Sequence, residues 1–515
     1  METYGRVFVR SMSGKLGSLL AIVTMAICAC SPTGPLRASA PVSRSPMPVR
    51  AAAVFVENSL PGHAGVLMQP HGIGISAYAV PTSVDIEGIV SFAVSTVSPT
   101  YSIDIYRVGW YGGAQGRSVW SVQNLEGHNQ GVWLPKTFGV TDCPTCRYDD
   151  RTGLFEPHWA TTYSLHIPLS WISGNYLARF TTPAGDISFA WFVVRNDHRY
   201  SEILAIMPLN TYQAYNNWGG KSLYPSNSFG PATMQIGQFA GAATQVSLER
   251  PYANWSPGDI RHDFQTVAFL ERYGYDVTYA TSVDLDRDPG LLQNHAILIS
   301  VGHDEYWSRT MRDGVESARD KGISLIFFGG NDVFWQVRYG GSAENSERTV
   351  LICYRSASLD PVAKSHPYDA TVHFSDPPLN RPSTTLTGTI YTDSLLQQPA
   401  PWVVAPTAPA WLLAGTSLAP GDAIAGLVGV ECDRFDPTYP SPSTLVIVSD
   451  SPVVKVGGAQ THCNAVYYQV PSGAQVFSAG TWSWEDFIIG RAANPDVVMM
   501  TNNISTHFGA SRRAP

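Results

Sequence analysis

The sequence predicts a chain of the α/β class, with a parallel-sheet domain preceded by an all-β domain. Three observations carry this expectation. Residues 53–196 are rich in β-branched and aromatic residues, are broken by Gly and Pro turns, and show no helical period. Beyond about residue 200, continuous apolar strands alternate with segments of helical period. Three polar and aromatic clusters follow three of those strands directly.

The first 52 residues read as a leader and a tether. Arg6, Arg10 and Lys15 precede the apolar run "LGSLLAIVTMAICAC", a basic-then-apolar layout typical of an export signal and too short for a comfortable membrane span. "ICAC" resembles a bacterial lipoprotein box, which makes Cys30 the expected lipidated residue and the bacterial cell surface the expected location. Cleavage near "RASA", giving a secreted protein, is the alternative. Residues 31–52 are rich in Pro, Ser and Ala and read as a linker.

Residues 53–196 form the expected sandwich. "FAVSTVSPTYSIDIYRVGWYGG" and "GNYLARFTTPAGDISFAWFVVR" carry its strands, and an immunoglobulin-like arrangement fits, without the cysteine–tryptophan hallmark. Residues 197–515 form the second expected domain. "EILAIMP", "YDVTYAT", "HAILISVG" and "ISLIFFGGND" read as buried strands. "HDFQTVAFLERYG" places Phe264, Val267 and Ala268 on one helical face, with Gly274 able to end the helix. "SRTMRDGVESARDKG" has Ser308 as N-cap and Met311, Val315 and Ala318 on one side. This alternation predicts a flavodoxin-like parallel sheet covered on both faces. "STLVIVSD", "NAVYYQV" and "AQVFSAG" read as the closing strands after a Pro-rich, irregular stretch at 356–425.

Composition narrows the function classes. The 515 residues are 44% hydrophobic and 14% charged, with a net charge of −8, which argues against nucleic acid as a main partner. Of the cysteines beyond the leader, Cys143 and Cys146 in "DCPTCR" can close a small loop. Cys353, Cys432 and Cys463 complete the five, so at least one is unpaired within the chain or pairs between chains. A zinc site built on Cys143 and Cys146 lacks a second pair at similar spacing.

In open parallel sheets ligands bind beyond the carboxyl ends of strands. The clusters there are "LNTYQAYNNWGGKSLY", "HDEYW" and "GGNDVFW". No Ser or Cys occupies the sharp turn where a covalent nucleophile would sit. Glu and Tyr oxygens beside His303 suit a hard, highly charged metal, and a trivalent ion can ionise a phenol. A metal so held would activate water and polarise a carbonyl.

"TYQAYNNWGGKSLY", "GHDEYWS" and "FGGNDVFW" resemble the N,N-dimethylformamidase large (beta) subunit family, specifically its C-terminal, amidotransferase-like domain, over roughly residues 200–500. The resemblance implies a mononuclear iron, as Fe(III), held by two tyrosines and a glutamate. Matched motif by motif, Glu305 and Tyr224 are ligands and Tyr215 is the second phenolate, with Tyr212 the alternative. His303 then serves beside a metal-bound water, Asn331 holds substrate or oxyanion, and Glu431 in "GVECDR" is the candidate general base. The chain departs from the family at Asp304, where a proline is often found, and in its shorter sandwich and export signal. These departures make dimethylformamide itself a poor expectation, leaving a small amide or a cell-envelope molecule as substrate.

Bland readings stand beside these. The tyrosines can simply pack the "NNWGG" loop, Gly329 and Gly330 can serve only a tight turn, and Glu431 can lie on a solvated turn beside Cys432 and Asp433. Trp307, Phe334 and Trp335 read as core or pocket wall, and Tyr252 as loop packing. The functional expectation is an exported, iron-dependent hydrolase of a non-peptide C–N amide bond. The alternatives are a non-catalytic surface protein binding glycans or another protein through a degenerate pocket, and a carboxylate-pair glycosidase using Glu305. An oligomer or a small-subunit partner is compatible with all three.

Overall fold

Two sheets make the first layer pair. A three-stranded sheet orders Ile75–Val80, Ile89–Thr96 and Thr161–His166, and a five-stranded sheet orders Ser83–Asp85, Ile187–Arg195, Gly174–Thr181, Thr100–Val108 and Gly116–Glu126. Alternation along the strands turns Val90, Phe92 and Val94 from one sheet against Ile103, Ile105, Tyr176, Phe180, Phe192 and Val194 from the other, all nearly fully buried. Phe92 meets Phe180 and Phe192 edge-on at 5.5 and 5.8 Å. This is a β-sandwich. The computed structural model describes residues 53–253, 260–342, 345–392, 395–429 and 431–512. The signal, the lipid-attachment cysteine and the linker expected in residues 1–52 lie outside the described residues.

The second region does not have the expected class. The chain is 33% strand and 20% helix. Its strands fall into nine sheets among the described residues, five of them two-stranded. It is therefore a β-dominated fold and not a flavodoxin-like (amidotransferase-like) α/β domain behind an immunoglobulin-like sandwich. Parallel pairing does occur: Val277–Thr281, Ile203–Met207, Ile297–Ser300, Ser324–Phe327 and Gln475–Ser478 lie side by side in that order. The sheet then continues antiparallel through Val466–Gln469 and Val446–Ile447.

The physical reason lies in the connections. A doubly wound sheet needs a crossover helix between successive parallel strands. Residues 260–320 supply two long ones, Ile260–Arg272 and Arg309–Asp320, and a short one, Ser282–Arg287. Ser308 caps the second long one as expected, accepting from the Met311 N–H at 3.1 Å. Between Ser324–Phe327 and Gln475–Ser478, however, the chain runs through a hairpin of Trp335–Ser342 and Asn345–Ile352, shorter β pairs, 3₁₀ turns and one four-residue helix, Ala410–Leu413. Their apolar stretches are too brief and too often broken by proline to form a crossover helix of several turns.

A buried ion pair fastens the sandwich to the rest. Arg107, in Thr100–Val108, donates to both carboxylate oxygens of Glu271, in Ile260–Arg272, at 2.8 and 2.7 Å. Both side chains are essentially inaccessible. The Tyr279 hydroxyl and the Asn58 amide complete the carboxylate at 3.1 and 2.6 Å. Such a pair is neutral or mildly costly as a unit, but either half left alone is a buried, uncompensated charge. Two disulfides, Cys143–Cys146 and Cys432–Cys463, are formed, and Cys353 is free and buried.

Glu271→Gln is expected to lower the unfolding free energy by about 3–5 kcal/mol. Replacing the pair together, Arg107→Met with Glu271→Leu, should recover most of that loss in urea titrations. A second expectation concerns pH. His295 is buried against Ser201 and burial pushes its pKa down from 6.5 to about 4. The unfolded chain thus takes up this proton near pH 6.5, whereas the folded chain resists until near pH 4. The stability it contributes is complete above pH 6.5 and is lost as pH falls through that window, by on the order of 3 kcal/mol. His295→Gln should flatten the melting temperature measured between pH 7 and pH 5.

Candidate metal and catalytic site

Three backbone segments converge at the carboxyl ends of Ile203–Met207, Ile297–Ser300 and Ser324–Phe327. The ends approach so closely that a Cβ on Gly329 would sit 2.0 Å from the Gly302 carbonyl oxygen. Gly302 itself adopts φ +66° and would drive a Cβ into the Asp263 carboxylate. Asn331 and Val333 follow in left-handed conformation, φ +60° and +54°. That conformation is uncommon for any side chain and a clear outlier for a β-branched one, as at sites held in place by their surroundings.

From the first strand end rises the short helix Leu209–Tyr215. It carries Tyr212 and Tyr215 on different bearings. The Tyr212 hydroxyl donates to Asp263 Oδ2 at 2.5 Å, away from the candidate ligands. The Tyr215 hydroxyl donates to Glu305 Oε2 at 2.9 Å. Residues 216–228 then loop back to present Tyr224. The Tyr224 N–H donates to Ser222 Oγ at 3.0 Å, and Ser228 Oγ donates to the Tyr224 carbonyl at 2.7 Å. The Tyr224 hydroxyl lies 2.8 and 2.9 Å from the two Glu305 oxygens. The rings of Tyr215 and Tyr224 stack at 4.2 Å. Of the two alternatives for the second phenol, Tyr215 is the one in contact with Glu305.

Glu305 is 2% exposed. Its N–H donates to Thr211 Oγ1 at 3.1 Å, and its carbonyl accepts from Phe334 and Trp335 at 3.0 and 2.9 Å. Burial raises its pKa, against the lowering effect of Tyr224, Arg355 and Tyr215. Burial first, and then the Glu305 charge, pushes the pKa of both phenols well above the usual tyrosine value. Protons thus hold the cluster together here. The three side chains share short O–H···O contacts at one point, an all-oxygen donor set that fits a hard cation replacing those protons.

Two groups beyond the expected set complete the cluster. Tyr306 donates to the Tyr224 hydroxyl at 2.6 Å, and Arg355 Nη2 donates to the Tyr306 hydroxyl at 2.6 Å. The Arg355 guanidinium also lies over the rings of Tyr224 and Trp335, 4.8 and 4.9 Å from their centroids. Tyr306 stood within the quoted motif without a role. Arg355 follows a strand with no local signal in the sequence, and only the fold brings it here.

The other expected residues border this cluster. His303 is 2% exposed, with its ring 5.7 Å from that of Tyr215 and 4.4 Å from that of Trp482. Burial, reinforced by His262, lowers its pKa to about 3, so it is a neutral imidazole. The Asn331 backbone N–H donates to Asp433 at 2.6 Å, and separately its side-chain Oδ1 is buried without a partner. Glu431 Oε2 is likewise buried and unpartnered. Burial and the nearby Glu305 charge push the Glu431 pKa up to about 8, with the Asn331 amide opposing. Asp304, the family departure, turns away. It accepts from Ser300 Oγ at 2.9 Å and its N–H donates to Asp332 at 2.9 Å.

Tyr306→Phe is expected to lower the unfolding free energy by about 1–3 kcal/mol, because it strands a buried guanidinium N–H and removes a donor to Tyr224. Urea denaturation with far-UV circular dichroism measures this directly.

No curated protein matches the chain. Among solved structures, a Paenibacillus sp. cycloisomaltooligosaccharide glucanotransferase complexed with cycloisomaltoheptaose aligns at 8% identity, over 77% of this chain and 72% of that chain. Its TM-score of 0.16 carries no argument about fold or function. The family described as N,N-dimethylformamidase beta subunit-like, C-terminal, matches residues 102–489, so the match reaches well into the sandwich and includes Arg107 as well as Glu305 and Glu431. The chain with the Tyr215–Tyr224–Glu305 cluster belongs to that family.

Proposed function

We propose that the chain hydrolyses a C–N amide bond in a small or cell-envelope molecule outside the peptide class, using a mononuclear Fe(III) held by Tyr215, Tyr224 and Glu305. The observation that supports it most is the convergence of both phenol oxygens on the one Glu305 carboxylate, next to two buried oxygens with no partner, on Asn331 and Glu431. A ferric ion in that donor set supplies Lewis acidity, polarising a carbonyl oxygen and acidifying water.

The chain's own groups would do the rest. Glu431, when ionised, is basic enough to take a proton from water as its oxygen attacks the carbonyl carbon. The same carboxyl then returns the proton to the departing amine nitrogen as the C–N bond breaks. The Asn331 amide, fixed by its backbone bond to Asp433, would donate to the carbonyl oxygen as charge develops there. His303, neutral and wedged between Tyr215 and Trp482, would orient the water or the substrate. No covalent intermediate is required.

Export and lipid attachment at Cys30 remain part of the proposal. The two disulfides accord with an oxidising compartment. Among the described residues, no helix is long and apolar enough to cross a membrane.

Purified protein is expected to contain one iron per chain and to show a visible phenolate-to-iron band. Glu305→Ala should lose the iron, the band and amine release from linear amides together. Glu431→Gln should keep the iron but lower kcat by roughly 10²–10⁴-fold. Glu305→Ala that still binds iron and hydrolyses amides would sink this reading. Iron-free, amide-inert wild-type protein that binds wall glycans would replace it with the binding-protein alternative.

A further inference from the structure

A second cluster of ligand-type atoms lies apart from Glu305. His262 and Asp263 sit in the first turn of Ile260–Arg272, and Glu485 sits in the 3₁₀ turn Trp482–Phe487. Asp263 and Glu485 have fully buried side chains, and His262 is 16% exposed. Each presents one atom with no hydrogen-bond partner: His262 Nδ1, Asp263 Oδ1 and Glu485 Oε2. The three lie within 4.8 Å of one another.

We propose that His262 Nδ1, Asp263 Oδ1 and Glu485 Oε2 form a second cation site, for a divalent ion of the zinc type. The first support is spacing. Nδ1 is 3.5 Å from Asp263 Oδ1 and 3.3 Å from Glu485 Oε2. A histidinium bridging two carboxylates would draw them to about 2.7–2.9 Å. Ligands about 2.0–2.1 Å from a shared tetrahedral zinc stand roughly 3.4 Å apart, which matches both separations from Nδ1, while the two carboxylate oxygens lie within 4.8 Å of each other.

The second support is the surrounding shell. Every ligand has its other polar atom already fixed. Asp263 Oδ2 accepts from the Tyr212 hydroxyl at 2.5 Å. Glu485 Oε1 accepts from Thr266 Oγ1 at 2.6 Å and from the Gly302 N–H at 3.0 Å. His262 Nε2 lies 3.1 Å from Asp486 Oδ1, which is itself held by Gln265 at 3.0 Å. A carboxylate on the far nitrogen of a histidine keeps the near nitrogen free as a lone-pair donor, the arrangement that orients zinc-binding histidines. Without an ion, and against the effect of its burial, the carboxylates of Asp263, Asp486 and Glu485 hold a proton on His262. An ion would displace that proton, and two carboxylates with the resulting neutral imidazole balance a 2+ charge. One coordination position is left for water. The ion would tie helix Ile260–Arg272, the Gly302 strand end and the Trp482–Phe487 turn together, beside His303.

The test is zinc(II) titration of the full chain after chelator dialysis, read by calorimetry and by zinc-edge X-ray absorption. Wild type and Glu305→Gln are both expected to take up a tight equivalent whose spectrum shows one imidazole nitrogen and oxygens at about 2.0–2.1 Å. The Tyr215–Tyr224–Glu305 set contains no histidine, so an imidazole shell reports on the second site alone. Asp263→Asn should weaken that equivalent by at least 100-fold, and Tyr212→Phe by about 10-fold through the freed carboxylate. Absence of an imidazole ligand in zinc-loaded wild type overturns the proposal, whether or not the Asp263 variant folds. Uptake unchanged in a folded Asp263→Asn protein overturns it equally.

Discussion

A buried carboxylate must be compensated, and Glu305 imposes that constraint on the whole pocket. Left alone in a dry interior, it would cost several kcal/mol or remain protonated. The chain answers with two phenol donors from one side, Tyr215 and Tyr224, and a guanidinium relayed through Tyr306 from the other. Each donor comes from a different segment, so meeting this one requirement fixes the helix at 209–215, the loop back to Tyr224, the strand at 306 and the turn carrying Arg355. The order is thus electrostatic in origin and is realised through packing.

The neighbouring region repeats the logic with different chemistry. Asp263 and Glu485 are also buried carboxyls. Burial and the Glu485 charge push the Asp263 pKa up to about 7. Tyr212 serves this second cluster while Tyr215, one helical turn on, serves the first. The short helix between them faces two anionic centres at once. That is why choosing between these tyrosines from spacing alone is unsafe: three residues along a helix change the bearing of a side chain by nearly a full turn, and a small offset decides which carboxylate the hydroxyl reaches.

Gly302 and Gly329 show what holds the two centres in register. Their backbones touch, so neither strand end can shift without the other. The Gly302 N–H is spent on Glu485, and three residues later the Glu305 N–H is spent on Thr211. Backbone groups thereby position side chains in both clusters. The strained Asn331 and Val333 conformations sit on the adjoining strand end.

The sequence by itself determined the local elements and most of the pocket's members. The strands at 203, 277, 297 and 324 and the helices at 260 and 309 with the Ser308 cap follow from periodicity and capping chemistry, whereas Glu305, Tyr224, Tyr215, His303, Asn331 and Glu431 enter as candidates through the family resemblance of their motifs. The class of the fold did not follow. Alternation over residues 260–330 reads as a doubly wound sheet, whereas residues 335–470 form short β pairs that local pattern cannot assign to partners, because sheet pairing is non-local. Arg355, Tyr306's relay and the His262–Asp263–Glu485 cluster were likewise decided only in three dimensions. They join residues up to 223 positions apart, from His262 to Glu485, and only burial together gives such residues a shared electrostatic need.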